Sequence, residues 1–335
     1  MALTVVDLEA AHLPTAADLL AQRQRRLRAK RPELPDGFED PDACLPLLQA
    51  LAEEDGAYGV IGFDGERALG YLIGHPRAEE IWARACWSPL EGQALADGVD
   101  AELIRDLYAP WSEHFVRQGR FRQYVLAPAD DAELQAAWFR TGFGQMQAHA
   151  LRPIPQGVAR PAGRDFGVRR ATPDDLDALE PLLPLIALSL IDPPAYAISL
   201  PERFDALRAD YGEDLGDPES RYWLAEDRHG TVLAVVAFYD MDTAPMVPEL
   251  ATEMGVAMTR PSARGRGVMR ALVDAAWADE RARGRRWAVT DWRTASLLAH
   301  RAWTAIGYRP THYRLHRHID ERVSWANGRG VPAAE

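Results

Sequence analysis

The chain has 335 residues, of which 47% are hydrophobic and 26% charged, with a formal net charge of −12. This length favours about two domains of an ordinary globular protein, and the acidic balance argues against nucleic acid as a partner. No apolar run approaches the ~20 residues of a membrane span. The amino terminus lacks a basic region before an apolar core, and Cys44 and Cys86 lack metal-ligand or redox spacing. We therefore predict a cytoplasmic protein with reduced thiols and no membrane partner.

The first half begins with an apolar strand over residues 3–8, followed by a helix that opens at Pro14. Residues 23–31 are strongly basic and lie late in this helix. We interpret them as a solvated helix face, and a nucleic-acid patch is the alternative that the net charge opposes. Two apolar strands joined at the dipeptide Asp64-Gly65 then indicate a hairpin.

The second half repeats the first at an offset of 165 residues. Three pairs of glycines in matching contexts show this offset: Gly65 and Gly230, Gly119 and Gly284, Gly142 and Gly307. Each half follows the order strand, helix, helix, hairpin, strand, long helix, strand, helix, strand, which predicts α/β layers. Prolines and glycines mark a linker, so the predicted domains are residues 1–152 and 166–335, joined by residues 153–165.

A basic glycine loop, Arg264-Gly265-Arg266-Gly267, separates a predicted strand from a long amphipathic helix. Glycines let the backbone turn its N–H groups toward an anion, and a helix start adds free N–H groups and partial positive charge. The loop therefore predicts a pyrophosphate site. The equivalent residues of the first half, 99–102, contain no glycine and two carboxylates, so we predict no such site there.

This loop resembles the signature of the GNAT acyltransferase superfamily, Arg/Gln-x-x-Gly-x-Gly/Ala, over residues 264–269. A second family signal, an aromatic residue near a helix end followed by Gly-Tyr, occurs at Trp303, Gly307 and Tyr308. The resemblance covers residues 166–320 and, more weakly, 3–150, and the tandem arrangement is similar to that of mycothiol synthase. It implies two tandem GNAT-like domains, each with a mixed, mostly antiparallel sheet flanked by helices. The amino-terminal domain would be degenerate, and the carboxy-terminal domain would bind acetyl-CoA.

In the family, the loop amides bind the pyrophosphate of acetyl-CoA, and the preceding strand binds the pantetheine arm. The resemblance therefore implies two sets of cofactor-binding residues: Val256, Ala257 and Met258 along pantetheine, and Arg264, Gly265, Arg266, Gly267, Val268, Met269 and Arg270 at the pyrophosphate. Met269 stands where the family usually has glycine or alanine. Because its backbone N–H remains, we expect binding to survive.

Acetyl transfer requires an uncharged amine, so a general base must remove the ammonium proton. Carboxylates on the strand before the loop often serve as base in the family, which makes Glu253 the first candidate and Glu249 the second. Asp291 ends the next predicted strand and would face the gap where the two strands separate. It either contacts the acceptor amine or, as is ordinary for aspartate at such a place, caps the next helix.

The tyrosine that commonly acts as general acid in the family is replaced here by Trp303, and the frequent asparagine on the same helix is matched by Ser296. Tyr308 and Tyr313 are the substitutes, with packing in the sheet core as the alternative for both. The histidines near the carboxyl terminus lack a cysteine or acidic partner at ligand spacing, so we predict no metal.

The sequence thus predicts an acetyl-CoA-dependent N-acetyltransferase that acts on a small-molecule amine by direct transfer, as a monomer or homodimer. A non-catalytic CoA-binding or sensing protein, or a transferase of another acyl group, is the alternative.

Overall fold

The computed structural model describes residues 3–79, 82–157 and 165–326, and these form two compact units. The first unit takes in the residues up to Gln147, Ala244–Met246 and the residues from Thr311 on. The second takes in Ala148–Thr243 and Val247–Pro310. The predicted boundaries at 152 and 166 stay a prediction, and positions 158–164 of the predicted linker lie outside the described residues.

The first unit is built on a six-strand path, β1-β2-β3-β4-β6-β13, with β5 paired to β3. Its pairs are antiparallel except β4 with β6. Its elements are β1 Leu3–Asp7, α1 Leu13–Lys30, α2 Pro41–Glu53, β2 Tyr58–Asp64, β3 Arg67–Glu79, β4 Ala83–Ser88, β5 Gln93–Leu95, α3 Leu103–Arg117, β6 Arg122–Pro128, α4 Ala132–Arg140, most of β13 Arg309–His318, and α10 Val323–Ala326.

Helices cover both faces of this sheet because neighbouring strand residues point to opposite sides. Val60 and Leu72 pack with Trp111 under α3 and α4. Ile61 and Tyr71, one position away, pack instead under α1 and α2.

The second unit has the strand path β7-β12-β11-β10-β9-β8, in which β11 and β12 are parallel. Helices α5 and α7 cover one face, packing on Val256 and Met258, and α8 packs against β9 and β10. Its elements are the part of β7 Gly144–Pro153 from Ala148 on, β8 Phe166–Arg170, α5 Leu176–Leu179, α6 Leu185–Ile191, α7 Pro201–Gly216, β9 Arg221–Asp227, β10 Val232–Asp240, β11 Ala251–Thr259, α8 Val268–Ala282, β12 Trp287–Arg293 and α9 Leu297–Ile306.

The predicted repeat is present at the level of whole elements. In five cases the equivalent elements begin 165 residues apart: β3 and β10, α3 and α8, β6 and β12, α4 and α9, β7 and β13. The last pair is exchanged between the units. Most of β7, from the first half of the sequence, belongs to the sheet of the second unit, whereas most of β13 belongs to that of the first. The predicted α/β class with mixed, mostly antiparallel sheets is confirmed.

Arg23, in the basic segment of α1, is buried. It is only 4% exposed and donates to the carbonyls of Leu90 and Gln93, so the solvated-face interpretation is wrong for this residue.

Both cysteines, Cys44 and Cys86, are buried free thiols. None of the helices in the described part of the chain reaches the length and hydropathy of a membrane span.

The carboxylate of Asp175, near the start of α5, is held by hydrogen bonds from a guanidinium and a backbone amide. It accepts two hydrogen bonds from Arg169, at 2.9 and 2.7 Å, and one from the Thr172 amide at 2.8 Å. The Arg169 bonds lower the pKa of Asp175 to about 2, and burial opposes them. A carboxyl with a depressed folded pKa stabilises the fold above its unfolded pKa and loses that contribution as pH falls toward its folded pKa.

We therefore expect Asp175→Asn to destabilise the second unit by about 1–2 kcal/mol at neutral pH, allowing for the exposure of Arg169. This difference should shrink between about pH 4 and pH 2, as measured by urea unfolding across that range. The exposed Asp174 provides the control, Asp174→Asn. An Asp175→Asn difference that does not change with pH would contradict the linkage.

Candidate active site

The basic glycine loop joins β11 to α8 through a short turn, Pro261–Ala263. Gly265 and Gly267 have φ of +74° and +77°, the left-handed region that suits glycine. No heavy atom lies within 4 Å of the place where a Cβ would stand on either residue. Residues 264–267 are exposed and Met269 is half-buried. The loop is therefore tightly turned, with open space beside both glycines.

The backbone amides of this loop form the central feature of the site. The first helical bond of α8 runs from the Ala271 amide to the Gly267 carbonyl at 3.0 Å. Among the described residues, none accepts a hydrogen bond from the six amides of residues 265–270. Six consecutive free N–H groups at the positive end of a helix are a seat for a phosphate group.

At the equivalent helix start in the first unit, the backbone amides already donate hydrogen bonds within the fold. At α3 the amides of Leu103, Ile104 and Arg105 bond to the carbonyls three residues before them, at 3.1, 3.1 and 2.9 Å. The amide of Glu102 bonds to the Asp100 carboxylate at 3.0 Å. These amides already have acceptors within the fold, and the two carboxylates would repel a phosphate.

Strands β11 and β12 separate part of the way along their length. Their parallel pairing runs from Ala251 with Trp287 to Glu253 with Val289, although β11 continues to Thr259. Beyond that point Thr290 Oγ1 donates to the Met254 carbonyl at 2.9 Å. The backbone of residues 256–258 thus borders a gap between two strands, as expected for a strand that binds an extended ligand arm.

The first unit has the same divergence but fills it with its own side chains. After β4 the chain turns through Leu90–Gly92 and continues as β5, which pairs with β3. The buried side chain of Gln93 donates to the Leu126 carbonyl of β6 and accepts a hydrogen bond from Trp138 Nε1 at 3.1 Å. Arg23 bonds to the carbonyls of Leu90 and Gln93.

A β-bulge brings Glu253 to the face covered by α5 and α7. Ala237 pairs with Val256 and Phe238 with Met254, so Gly255 is the extra residue. A Cβ at Gly255 would lie 2.9 Å from the Tyr239 ring and 3.8 Å from the Glu253 carboxyl carbon. The absence of a side chain at Gly255 therefore leaves room for the Tyr239 ring.

The electrostatic setting of Glu253 suits a base. Burial raises the pKa of Glu253, and the negative charge of Asp291 raises it further. Asp291 lies two residues beyond Val289, the partner of Glu253, so the two carboxylates share one face of the sheet. His149 Nδ1, on β7, is 3.8 Å from Asp291 Oδ2. Sequence analysis missed His149 because it lies in the first repeat.

The structure excludes one of the two roles considered for Asp291. It lies inside β12, and the residue that caps α9 is Ser296, whose Oγ accepts from the Ala299 amide at 3.4 Å. The helix-capping alternative for Asp291 is therefore wrong, and the carboxylate remains available on the face that carries Glu253.

The other catalytic candidates lie in less suitable places. Tyr308 is fully buried, with its hydroxyl 3.9 Å from Met254 Sδ, a placement that suits packing. Tyr313 belongs to the first unit, where it packs on the core that includes Trp138. Glu249 is exposed and precedes β11, at the opposite end from the loop.

Two arginines of the loop, Arg264 and Arg266, are exposed to solvent. Arg270 Nε lies 3.1 Å from both carboxylate oxygens of Asp274, one helical turn away. Within the described residues, no group of three or more histidine, cysteine, aspartate or glutamate side chains is placed to hold a metal ion.

Comparisons with known proteins find a matching family model and similar folds. Residues 186–307 match the family model described as acetyltransferase (GNAT) family. A GCN5-related N-acetyltransferase from Sphaerobacter thermophilus is similar in structure over 95% of this chain and 97% of its own, with 17% identity and a TM-score of 0.60. No curated protein matches the sequence significantly.

Two further structures are similar. A glucosamine N-acetyltransferase region of a fungal multi-domain β-N-acetylglucosaminidase matches 94% of this chain and 38% of its own, with 15% identity and a TM-score of 0.55. A tandem GNAT protein of the clavulanic acid pathway matches 95% and 98%, with 14% identity and a TM-score of 0.49. The chain therefore shares the fold of the Sphaerobacter thermophilus protein over nearly its whole length, and residues 186–307, nearly all of them in its second unit, match the model of the GNAT acetyltransferase family.

Proposed function

We propose that the protein is an acetyl-CoA-dependent N-acetyltransferase of a small-molecule amine, with its active site in the second unit and no resident metal. The observation that carries this proposal is the run of six free amides over residues 265–270, at the end of the strand that borders the gap. In this proposal the pyrophosphate binds these amides, and the acetyl-bearing arm runs along residues 256–258 toward Glu253.

The first unit has no part in cofactor binding in this proposal. Its helix amides are bonded internally, and Gln93 and Arg23 fill its gap. One acetyl-CoA per chain is therefore expected.

The chemistry follows from the groups on the α5–α7 face. The amine enters as an ammonium ion and transfers one proton to the Glu253 carboxylate. The nitrogen lone pair attacks the carbonyl carbon of the thioester, so a C–N bond forms and the C–S bond breaks. The nitrogen then loses a second proton, the sulfur of coenzyme A gains one, and Glu253 releases its proton to solvent. The raised pKa of Glu253 makes the carboxylate a stronger base than an exposed glutamate.

Glu253→Gln is expected to lower kcat by about 10²- to 10⁴-fold, because it removes the proton acceptor and conserves the shape of the side chain. Isothermal calorimetry should give an unchanged acetyl-CoA affinity. Glu213→Gln, the same change at an exposed position on α7, is the control. Equal turnover in Glu253→Gln and the wild type would remove Glu253 from the mechanism, and Glu249→Gln would then be tested.

The activity itself is tested by thiol release from acetyl-CoA with three amines of different chemistry: phenethylamine, spermidine and glucosamine. Glucosamine is included because a structurally similar fungal region acetylates it. Stoichiometric acetyl-CoA binding without turnover of any amine would favour a CoA-binding protein. Turnover only with longer acyl-CoA donors would favour another acyl transfer.

A further inference from the structure

The exchanged strand brings a histidine next to Asp291 of the second unit. His149 lies on the part of β7 that belongs to this unit, next to β12 in the sheet. Its Nδ1 is 3.8 Å from Asp291 Oδ2, and the exposed fractions of the two side chains are 14% and 39%. The imidazole is thus mostly removed from water, whereas the carboxylate it approaches is open to an incoming ligand.

Asp291 is close to His149 and also acts electrostatically on Glu253, the proposed base. Asp291 and Glu253 share one face of adjacent strands, and the charge of Asp291 disfavours ionisation of Glu253. A positive charge beside Asp291 weakens the effect of the Asp291 charge on Glu253, so Glu253 ionises more easily. A neutral neighbour leaves that effect unchanged.

We propose that His149 is a positioning residue that keeps Glu253 ionised: its imidazolium form pairs with Asp291, and the pair holds the base ready to accept the amine proton. This inference rests on the proposed function, since it assigns Glu253 as the base. The role is electrostatic, so no bond to the substrate is assigned to His149.

Other charged and titratable groups border this cluster. Arg293 follows Asp291 by two residues and lies on the same face of β12. From β10, Tyr239 reaches Gly255, with its hydroxyl 2.6 Å from Asp214 of α7 and 3.0 Å from the Tyr222 hydroxyl of β9. The Asp214 carboxylate therefore already has hydroxyl partners.

The direction of the pH effect follows from the charges. With imidazolium beside Asp291, Glu253 ionises at lower pH. His149→Gln removes that positive charge, so the acidic limb of kcat/KM should move up by about half a pH unit or more. Asp291→Asn removes the negative charge that opposes Glu253 ionisation, so the same limb should move down by a similar amount.

An NMR titration tests the His149–Asp291 pairing without any assay of activity. The full chain is labelled at the Cε1 atoms of its nine histidines, and the missing signal in His149→Gln assigns His149. Asp291→Asn should lower the titration midpoint of His149 by about half a pH unit or more, while the eight other signals serve as internal references. Asp291 is partly exposed, so Asp291→Asn is expected to fold, and His149→Asn replaces His149→Gln in the assignment if His149→Gln does not fold.

The two arms separate failure of this inference from failure of the proposed function. If the midpoint of His149 is the same in the wild type and in Asp291→Asn, the pairing is absent and the inference is wrong, whatever the enzyme does. If the midpoint shifts but no amine is acetylated, the proposed function fails while the pairing stands. With activity present, opposite shifts of the acidic limb support the positioning role. A uniform loss of kcat/KM at all pH values would overturn it in favour of a structural role.

Discussion

Replacing Gly267 with aspartate is expected to abolish acetyl-CoA binding. Gly267 precedes α8 at φ +77°, a conformation that costs a non-glycine residue about 1–3 kcal/mol. The new carboxylate would also stand among the free amides where a diphosphate is proposed to bind, and it would repel that anion. We expect binding at least about 100-fold weaker, or ~2.7 kcal/mol, measured by isothermal calorimetry.

The first unit offers a matched control for this substitution. Gly98 has φ +75° and, like Gly267, has no heavy atom within 4 Å of the position that a Cβ would take. Gly98→Asp therefore carries the same strain and charge but lies in the unit that we propose does not bind acetyl-CoA. Wild type and Gly98→Asp should both bind one acetyl-CoA per chain. Two equal sites in the wild type, or equal loss in both variants, would contradict the assignment of the loop.

Removing the buried cation Arg221 should produce the largest loss of stability. Arg221, on β9, is 1% exposed and forms an ion pair with Glu280 of α8, which is fully buried. Its guanidinium also bonds to Thr252 Oγ1 at 3.1 Å and contacts Asp240 at 2.7 Å. Arg221→Leu leaves the Glu280 carboxylate buried without its partner, which typically costs about 3–5 kcal/mol. Urea unfolding of the second unit measures the effect.

Two comparison variants show whether the loss comes from the orphaned charge. The double variant Arg221→Leu with Glu280→Leu should recover part of the stability, because no unpaired charge remains. Arg208 pairs with Asp177 and Glu180 on the surface, so Arg208→Leu should change the free energy of unfolding by less than about 1 kcal/mol. A single variant as stable as the wild type would show that the ion pair contributes little.

Local patterns are sufficient to predict much of the second unit. The loop is recognisable because two glycines follow a strand and precede an amphipathic helix, and both have the positive φ that such a turn requires. The 165-residue offset locates equivalent elements, and α3 and α8 begin at equivalent positions. These features depend on residues that are close in sequence, where turn chemistry and helical periodicity are informative.

The remaining features depend on pairings between distant residues. Because β7 and β13 occupy equivalent places in the repeat, nothing in their local pattern shows which sheet each strand joins. His149 escapes sequence analysis for that reason, since its neighbour Asp291 is 142 residues away in the sequence. The solvated interpretation fails at Arg23 because the acceptors that bury this side chain, Leu90 and Gln93, lie far along the chain.

The exchange of β7 and β13 determines when the sheet of the first unit can be completed during synthesis. The sheet of the first unit is completed by β13, whose residues His312 to His318 pair with β6 and are synthesised only after every strand from β7 to β12. Until then β6 presents an open edge that can pair with other chains. The second unit, in turn, takes a strand and His149 from the first half of the gene. A shorter chain with only the second repeat would lack both, so the second unit depends on residues of the first repeat to complete its sheet.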